Sequence, residues 1–151
     1  MFARVQKFVA LDWQRKKLLV QAWFLLGYLK LLLRRKPFKK LVAGLEMHRE
    51  PVGQPPLDPE SQEIARSVGW AVRVAANQTP WVSTCLVQVL AAQKMLENRG
   101  VAGVFYVGAA SVREQTSSKF QAHAWLTCND EVITGEAGHQ EYTVVSAFSW
   151  Q

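Results

Sequence analysis

The order of predicted elements places this chain of 151 residues in the α+β class. Two observations carry this. The first half repeats apolar residues at the helical i, i+3, i+4 spacing, and the half after Gly100 breaks into β-branched and aromatic runs. Helices followed by consecutive strands imply an antiparallel sheet of about four strands rather than a doubly wound one. A helix headed by Cys85 joins the two halves.

Residues 4 to 34 read as helix in two pieces. Leu18, Leu19, Ala22, Leu25, Leu26, Leu29, Leu32 and Leu33 form the stripe, widened by Trp23, Phe24, Tyr28 and Leu31. A helix apolar most of the way round is buried on several sides or faces a partner. Pro37 ends it, and 38 to 47 reads as a further short helix. Residues 50 to 59 hold five prolines or glycines, namely Pro51, Gly53, Pro55, Pro56 and Pro59, and read as a linker. This divides the chain into an N-terminal helical region (1–50), a linker (51–59) and a core (60–151).

Asp58 before Pro59 is a helix start, with Asp58 as cap and proline at the first position. That helix carries Ile64, Ala65, Val68, Ala71, Val72 and Ala75 toward the core and stops before Thr79-Pro80. The next runs from Thr84 to Arg99, with Ser83 or Thr84 as cap and Gly100 as its stop. Val101 to Val107, Phe120 to Thr127, Glu131 to Thr134 and Tyr142 to Phe148 read as strands. Gly108 to Ser118 reads as a loop, and Asn129-Asp130 as a hairpin turn.

Composition narrows the function classes. About half the chain is hydrophobic and the net charge is +6. The basicity is local: between Arg4 and Lys40 every charge but Asp12 is positive. Such a segment suits a solvated flank, an acidic partner or an anionic membrane surface. Nucleic-acid binding is disfavoured, because the cations alternate with leucines and no recognition motif accompanies them. Leu18 to Leu33 spans 16 residues interrupted by Gln21 and Lys30, short of the roughly 20 a spanning helix needs. Cys85 and Cys128 form neither a dense disulfide framework nor a C-x-x-C motif. No metal or cofactor is implied, no secretory signal is read, and the reducing cytoplasm is the expected compartment.

Cys85 and His123 carry the chemistry. A lone cysteine is most often a small buried hydrophobe. At the first turn of a helix, however, the partial positive charge and free N–H groups favour thiolate and can hold an oxyanion. Asn77 and Gln78 are positional candidates for the second oxyanion donor, and Trp81 either walls the cleft or belongs to the core. His123 opens a strand between Ala122 and Ala124, whose small side chains admit a close neighbour. His48 and His139 have no comparable context. If Asn129 and Asp130 are the turn, Cys128 faces Glu131, Leu126 faces Ile133, and His123 faces Glu136. Glu136 is then the candidate third catalytic residue, with Asp130 or a backbone carbonyl as alternatives.

The run TPWVSTCLVQVLAAQKMLENRGVAGVFYVG, with FQAHAWLTCNDEVITGEAGHQEYTVVSAF after it, resembles the lasso-peptide maturation peptidases. These are small transglutaminase-like cysteine proteases. The carrying motifs are Trp81-x-x-x-Cys85-Leu86, Arg99-Gly100 at a helix end, Ala122-His123-Ala124-Trp125 and Val132-x-x-Gly135. The basic, leucine-rich helices at the start are also typical. The resemblance implies a papain/transglutaminase-like core, with Cys85 as nucleophile and His123 as general base and later acid. It implies removal of the leader from a ribosomal precursor peptide. The implied partners are a separate leader-recognition protein, for which this chain has no evident domain, and an ATP-dependent cyclase. The family's third residue is an aspartate on the strand after the histidine. Counted without a gap, its place falls at Gly135, next to Glu136, and there this chain departs from the pattern. Two other readings share the residues: an acyl transferase on the same fold, and a non-catalytic docking or membrane-surface module with an inert Cys85.

Overall fold

Local capping starts the helices where the sequence places them. The computed structural model describes residues 2–114, 117–136 and 138–151. Helix α1 spans Phe2–Ala10 and α2 spans Trp13–Arg35, with Asp12 accepting from the Arg15 N–H at 3.1 Å as its cap. α2 closes at Lys36, just before Pro37, and α3 is a single turn, Phe38–Leu41. α4 (Pro59–Ala76) starts as expected, with Asp58 capping the Ser61 N–H at 2.6 Å and proline in the first turn. α5 (Cys85–Glu97) ends before Gly100, whose φ of +68° permits the reversal into the sheet.

The sheet has five strands where about four were expected. β1 (Glu46–His48), β2 (Gly103–Glu114), β3 (Ser117–Cys128), β4 (Glu131–Thr134) and β5 (Thr143–Trp150) lie in the order β1-β5-β2-β3-β4, all antiparallel. Two expectations fail here. The helix expected over 38–47 stops at Leu41, and residues 46 and 47 are strand: the edge of β5 offers unpaired backbone groups, and Glu46–His48 pairs with Ser149–Ala147. The His48 imidazole also hydrogen-bonds Ser149 Oγ at 2.9 Å. Residues 108–114 and 117–118, expected within a loop, are also strand; residues 115 and 116 of that expectation lie outside the described residues. The β2–β3 ladder runs unbroken from Val104↔Thr127 to Glu114↔Ser117. Backbone pairing holds this hairpin in a stretch whose composition carries no strand periodicity.

The helices cover one face of the sheet. Phe105, Ala124, Leu126, Cys128, Ile133, Phe148 and Trp150 point into a core shared with α2, α4 and α5. Ala22, Leu26 and Leu29 of α2 are buried in that core, so the leucine-rich helix packs on its own chain. The other face holds a smaller cluster of Val104, Tyr106, Trp125 and Ala147. The proline-rich segment lies against this second face. Val52 packs on the cluster, its carbonyl accepts from the Tyr106 hydroxyl at 3.3 Å, and the Gln54 amide donates to Thr127 Oγ1. Among the described residues, no helix is long and apolar enough to cross a membrane.

Candidate active site

Cys85 is the first residue of α5, and its turn is braced from several sides. Thr84, not Ser83, caps the helix, accepting from the Val87 N–H at 3.4 Å. Ser83 is engaged otherwise: its hydroxyl lies 3.1 Å from Thr79 Oγ1, and its carbonyl accepts from the Gln88 amide at 3.0 Å. Thr79 Oγ1 also lies 2.9 Å from the Trp81 carbonyl, which closes the loop over residues 79–83.

α2 anchors this loop. Trp81 packs beside Trp23 with centroids 5.0 Å apart. Its ring fills the space over Gly27, where a Cβ would meet it at 3.0 Å. Lys30 Nζ donates to the Val82 carbonyl at 3.1 Å. Trp81 is therefore the packing joint between the leucine-rich helix and the approach to Cys85. Asn77 and Gln78, the positional oxyanion candidates, lie exposed in the turn ending α4.

The two thiols differ sharply in environment. Cys85 is partly exposed, whereas Cys128 is fully buried in the helix-side core. Burial, with the Glu131 carboxylate nearby as a second cause, pushes the Cys128 thiol up to about 12. Cys128 is thus a neutral core residue.

His123 sits on β3 opposite Gly108 of β2. Its ring stacks on Trp125 at 5.9 Å and leans on Tyr142 at 5.1 Å. Gly108 makes room for this group, since a Cβ there would lie 2.9 Å from both the Trp125 ring and Tyr142 Cβ. His123 Nε2 donates to the Gly135 carbonyl at 2.7 Å. A carbonyl only accepts, so Nε2 carries the proton and the neutral ring keeps its lone pair on Nδ1.

The hairpin that brings Gly135 to His123 begins as expected and then departs. Asn129 and Asp130 form the turn with φ of 51° and 63°, the two left-handed residues of a type I′ turn. Cys128 pairs with Glu131. A bulge between Leu126 and Thr127 then shifts the register, so Leu126 faces Thr134 instead of Ile133. The expected Leu126–Ile133 and His123–Glu136 pairings are therefore corrected: β4 ends at Thr134, and Glu136 is exposed.

What reaches the imidazole is a backbone carbonyl, that of Gly135. Gly135 has φ +79°, and a Cβ there would press on the Ala124 carbonyl and lie 2.8 Å from Trp125 Cα. Only glycine suits this conformation. Asp130 is held at the other end of β3, its N–H donating to Gln54 Oε1 at 3.4 Å. His139 has no distinctive sequence context, yet its ring lies 5.8 Å from Trp125 and its Nδ1 donates to the Glu136 carbonyl at 2.7 Å.

Cys85 and His123 share one end of the domain. Cys85 lies about 18 Å along α5 from the helix's last residue at 1.5 Å per residue. The chain reverses there, and the Gly108–His123 pair lies about 17 Å up β2 from Gly103 at 3.4 Å per residue. The two side chains differ in the face they use. α5 packs on the Ala124 and Leu126 face of β3, whereas the His123 ring joins Trp125 and Tyr142 on the other face, with Nε2 turned to the β3 edge beyond β4. Among the described residues, no cluster of His, Cys, Asp or Glu has the makings of a metal site.

No curated protein and no solved structure matches the chain. One family does, across residues 25–147, a span that includes the C-terminal part of α2, the Cys85 helix and the His123 strand. A partly exposed cysteine at a helix N-terminus, an antiparallel sheet and a histidine on its strand are thus joined by a match over most of the sequence, and the chain belongs to the transglutaminase-like superfamily.

Proposed function

We propose that this protein is a cysteine peptidase that cleaves the leader from a ribosomal lasso-peptide precursor. It acts in the cytoplasm with a separate leader-recognition protein and an ATP-dependent cyclase. Membership of a superfamily of cysteine proteases and acyltransferases supports thiol chemistry, and the motifs around Cys85 and His123 support the leader peptide as substrate. The observation that carries the reading is the 2.7 Å hydrogen bond from His123 Nε2 to the Gly135 carbonyl. It fixes the tautomer that a general base needs and supplies an orienting group without an acidic side chain.

In this mechanism Nδ1 of His123 takes the Cys85 thiol proton, and sulfur attacks the scissile carbonyl carbon. The free N–H groups at the start of α5, that of Cys85 included, receive the oxyanion. The C–N bond then breaks, and His123 returns the proton to the departing amine of the core peptide. The leader remains as a thioester, and water activated by the same imidazole releases it as the acid. The reading requires the thiol and Nδ1 to meet over the end of β3 with the peptide bound, since catalytic hydrogen bonds commonly tighten only in the substrate complex.

Mass spectrometry of a candidate precursor, with and without the recognition protein, tests this. Wild type yields a free leader acid and a core with a free amine, and Cys85→Ala yields neither. Full cleavage by Cys85→Ala overturns the reading. An amine adduct of the leader in place of the acid makes the protein an acyl transferase instead.

A further inference from the structure

The N-terminal helices expose more apolar surface than the core uses. On α2, the face away from Ala22, Leu26 and Leu29 carries Trp13, Val20, Phe24, Tyr28 and Leu31, which are 69, 46, 66, 59 and 50 % exposed. Their spacings of seven, four, four and three residues keep them on one stripe, about 27 Å long at 1.5 Å per residue. Lys16 and Lys17 flank the stripe at one end, Arg34 and Arg35 at the other. Asp12 is the one acid between Phe2 and Leu45, and its carboxylate is committed to capping Arg15.

α1 extends the same character. It buries no residue, and Phe2 and Val9 stand 82 and 63 % exposed. Between α1, α2 and α4 lies a groove with an apolar floor of Leu19, Val20, Trp23 and Trp70, rimmed by Arg4, Lys7 and Arg15. Val20 belongs to both the groove and the stripe, so the two form one surface.

We propose that this surface docks on an anionic lipid bilayer, with α2 lying in the plane of the interface. Charge is the first reason: a face whose charges are basic at both ends meets a negatively charged plane favourably along its whole length. Residue type is the second. Trp, Tyr and Phe with flanking Lys and Arg are the side chains that settle at the boundary between headgroups and acyl chains. Shape is the third. The stripe runs along the outer side of a single helix and fits a flat, deformable surface, whereas a protein partner would need a matching trough. The groove beneath α1, apolar inside and basic at its mouth, has the chemistry to receive one acyl chain of an acidic lipid. The docking is peripheral, because no described helix is suited to span. The proposal is independent of the peptidase reading.

Vesicle co-sedimentation of the full chain tests it, with phosphatidylcholine alone and with about a third of the lipid replaced by phosphatidylglycerol. The expected result is at least tenfold tighter binding to the anionic vesicles, lost progressively as salt rises. Phe24→Asp should weaken binding about tenfold or more, and Lys16→Glu with Lys17→Glu by a similar factor. Phe24 and Lys17 are exposed and Lys16 half-buried, and unchanged circular dichroism verifies the fold of both variants. Equal binding to both vesicle types, or wild-type binding by Phe24→Asp, overturns the proposal. So does a dimer in light scattering that Phe24→Asp abolishes while vesicle binding is absent, for then a second copy covers the stripe.

Discussion

The imidazole of His123 is held by the backbone of Gly135, Nε2 to carbonyl oxygen at 2.7 Å. This bond depends on a conformation reserved for glycine: φ is +79°, and a Cβ would press on the Ala124 carbonyl. Gly135→Ala should therefore cost about 1–3 kcal/mol of stability, from the left-handed backbone and the clash together. It should also impair leader cleavage by turning the carbonyl away. A thermal melt reads the first effect, and precursor cleavage below the melting point reads the second. In wild type, nitrogen NMR should find neutral His123 with its proton on Nε2. A proton on Nδ1 would remove the basis for this arrangement.

The contrast between the two cysteines gives a second expectation. Cys128 is buried with its thiol pushed up to about 12, while Cys85 is partly exposed. Iodoacetamide near neutral pH should alkylate Cys85 and leave Cys128 unmodified until the protein unfolds. The raised value also links to stability. The folded state holds the Cys128 proton more tightly than the unfolded chain, whose thiol titrates near 9.0. The stabilisation is thus complete below about pH 9 and is lost between there and about 12. Cys128→Ala should flatten that alkaline decline, at the cost of a cavity seen as a lower melting temperature at neutral pH.

These features differ in how far they can be read from sequence. Asp58-Pro59, Thr84 ahead of Cys85, Gly100 and the Asn129-Asp130 turn are legible because each acts on its immediate neighbours through a cap or a backbone angle. The bulge at Leu126/Thr127 is not, since it is settled where β3 and β4 meet their neighbours, and one inserted residue moves the partner of His123. The group that reaches His123 left no side-chain signature, because it is a carbonyl. The trace it did leave is the glycine itself, whose φ of +79° aims that carbonyl. β1 was hidden for a similar reason: three residues after a one-turn helix become a strand because β5 has an open edge.

Gly69 tests the seam between α4 and β4. A helix interior normally favours alanine over glycine by about 1 kcal/mol. Here a new Cβ would lie 2.6 Å from both Ile133 Cγ2 and the Ile133 carbonyl oxygen. That carbonyl is fixed by Arg73 Nη1, which donates to it at 2.5 Å, so the backbone has little room to give. The steric cost, about 1–3 kcal/mol for overpacking, should exceed the propensity gain. Gly69→Ala is expected to lower the denaturant midpoint, and a raised midpoint would mean that α4 slides freely on β4.

The hairpin turn offers a substitution in the opposite direction. Asn129 tolerates its left-handed φ well, but Asp130 holds φ of 63° in the second position, where type I′ turns favour glycine. The Asp130 side chain is exposed, and the group used here is its backbone N–H, which donates to Gln54 Oε1 and survives replacement. Asp130→Gly relieves the side-chain penalty in the folded state and loosens the unfolded chain. The first effect is about 1–2 kcal/mol and the second less than about 1 kcal/mol. The net expectation is a gain of about 0.5–1 kcal/mol, measured as a higher urea midpoint with unchanged slope. Cleavage should be unaffected, because the turn lies at the end of β3 remote from His123. A loss of activity would show that the register set at this turn governs the bond between His123 and Gly135.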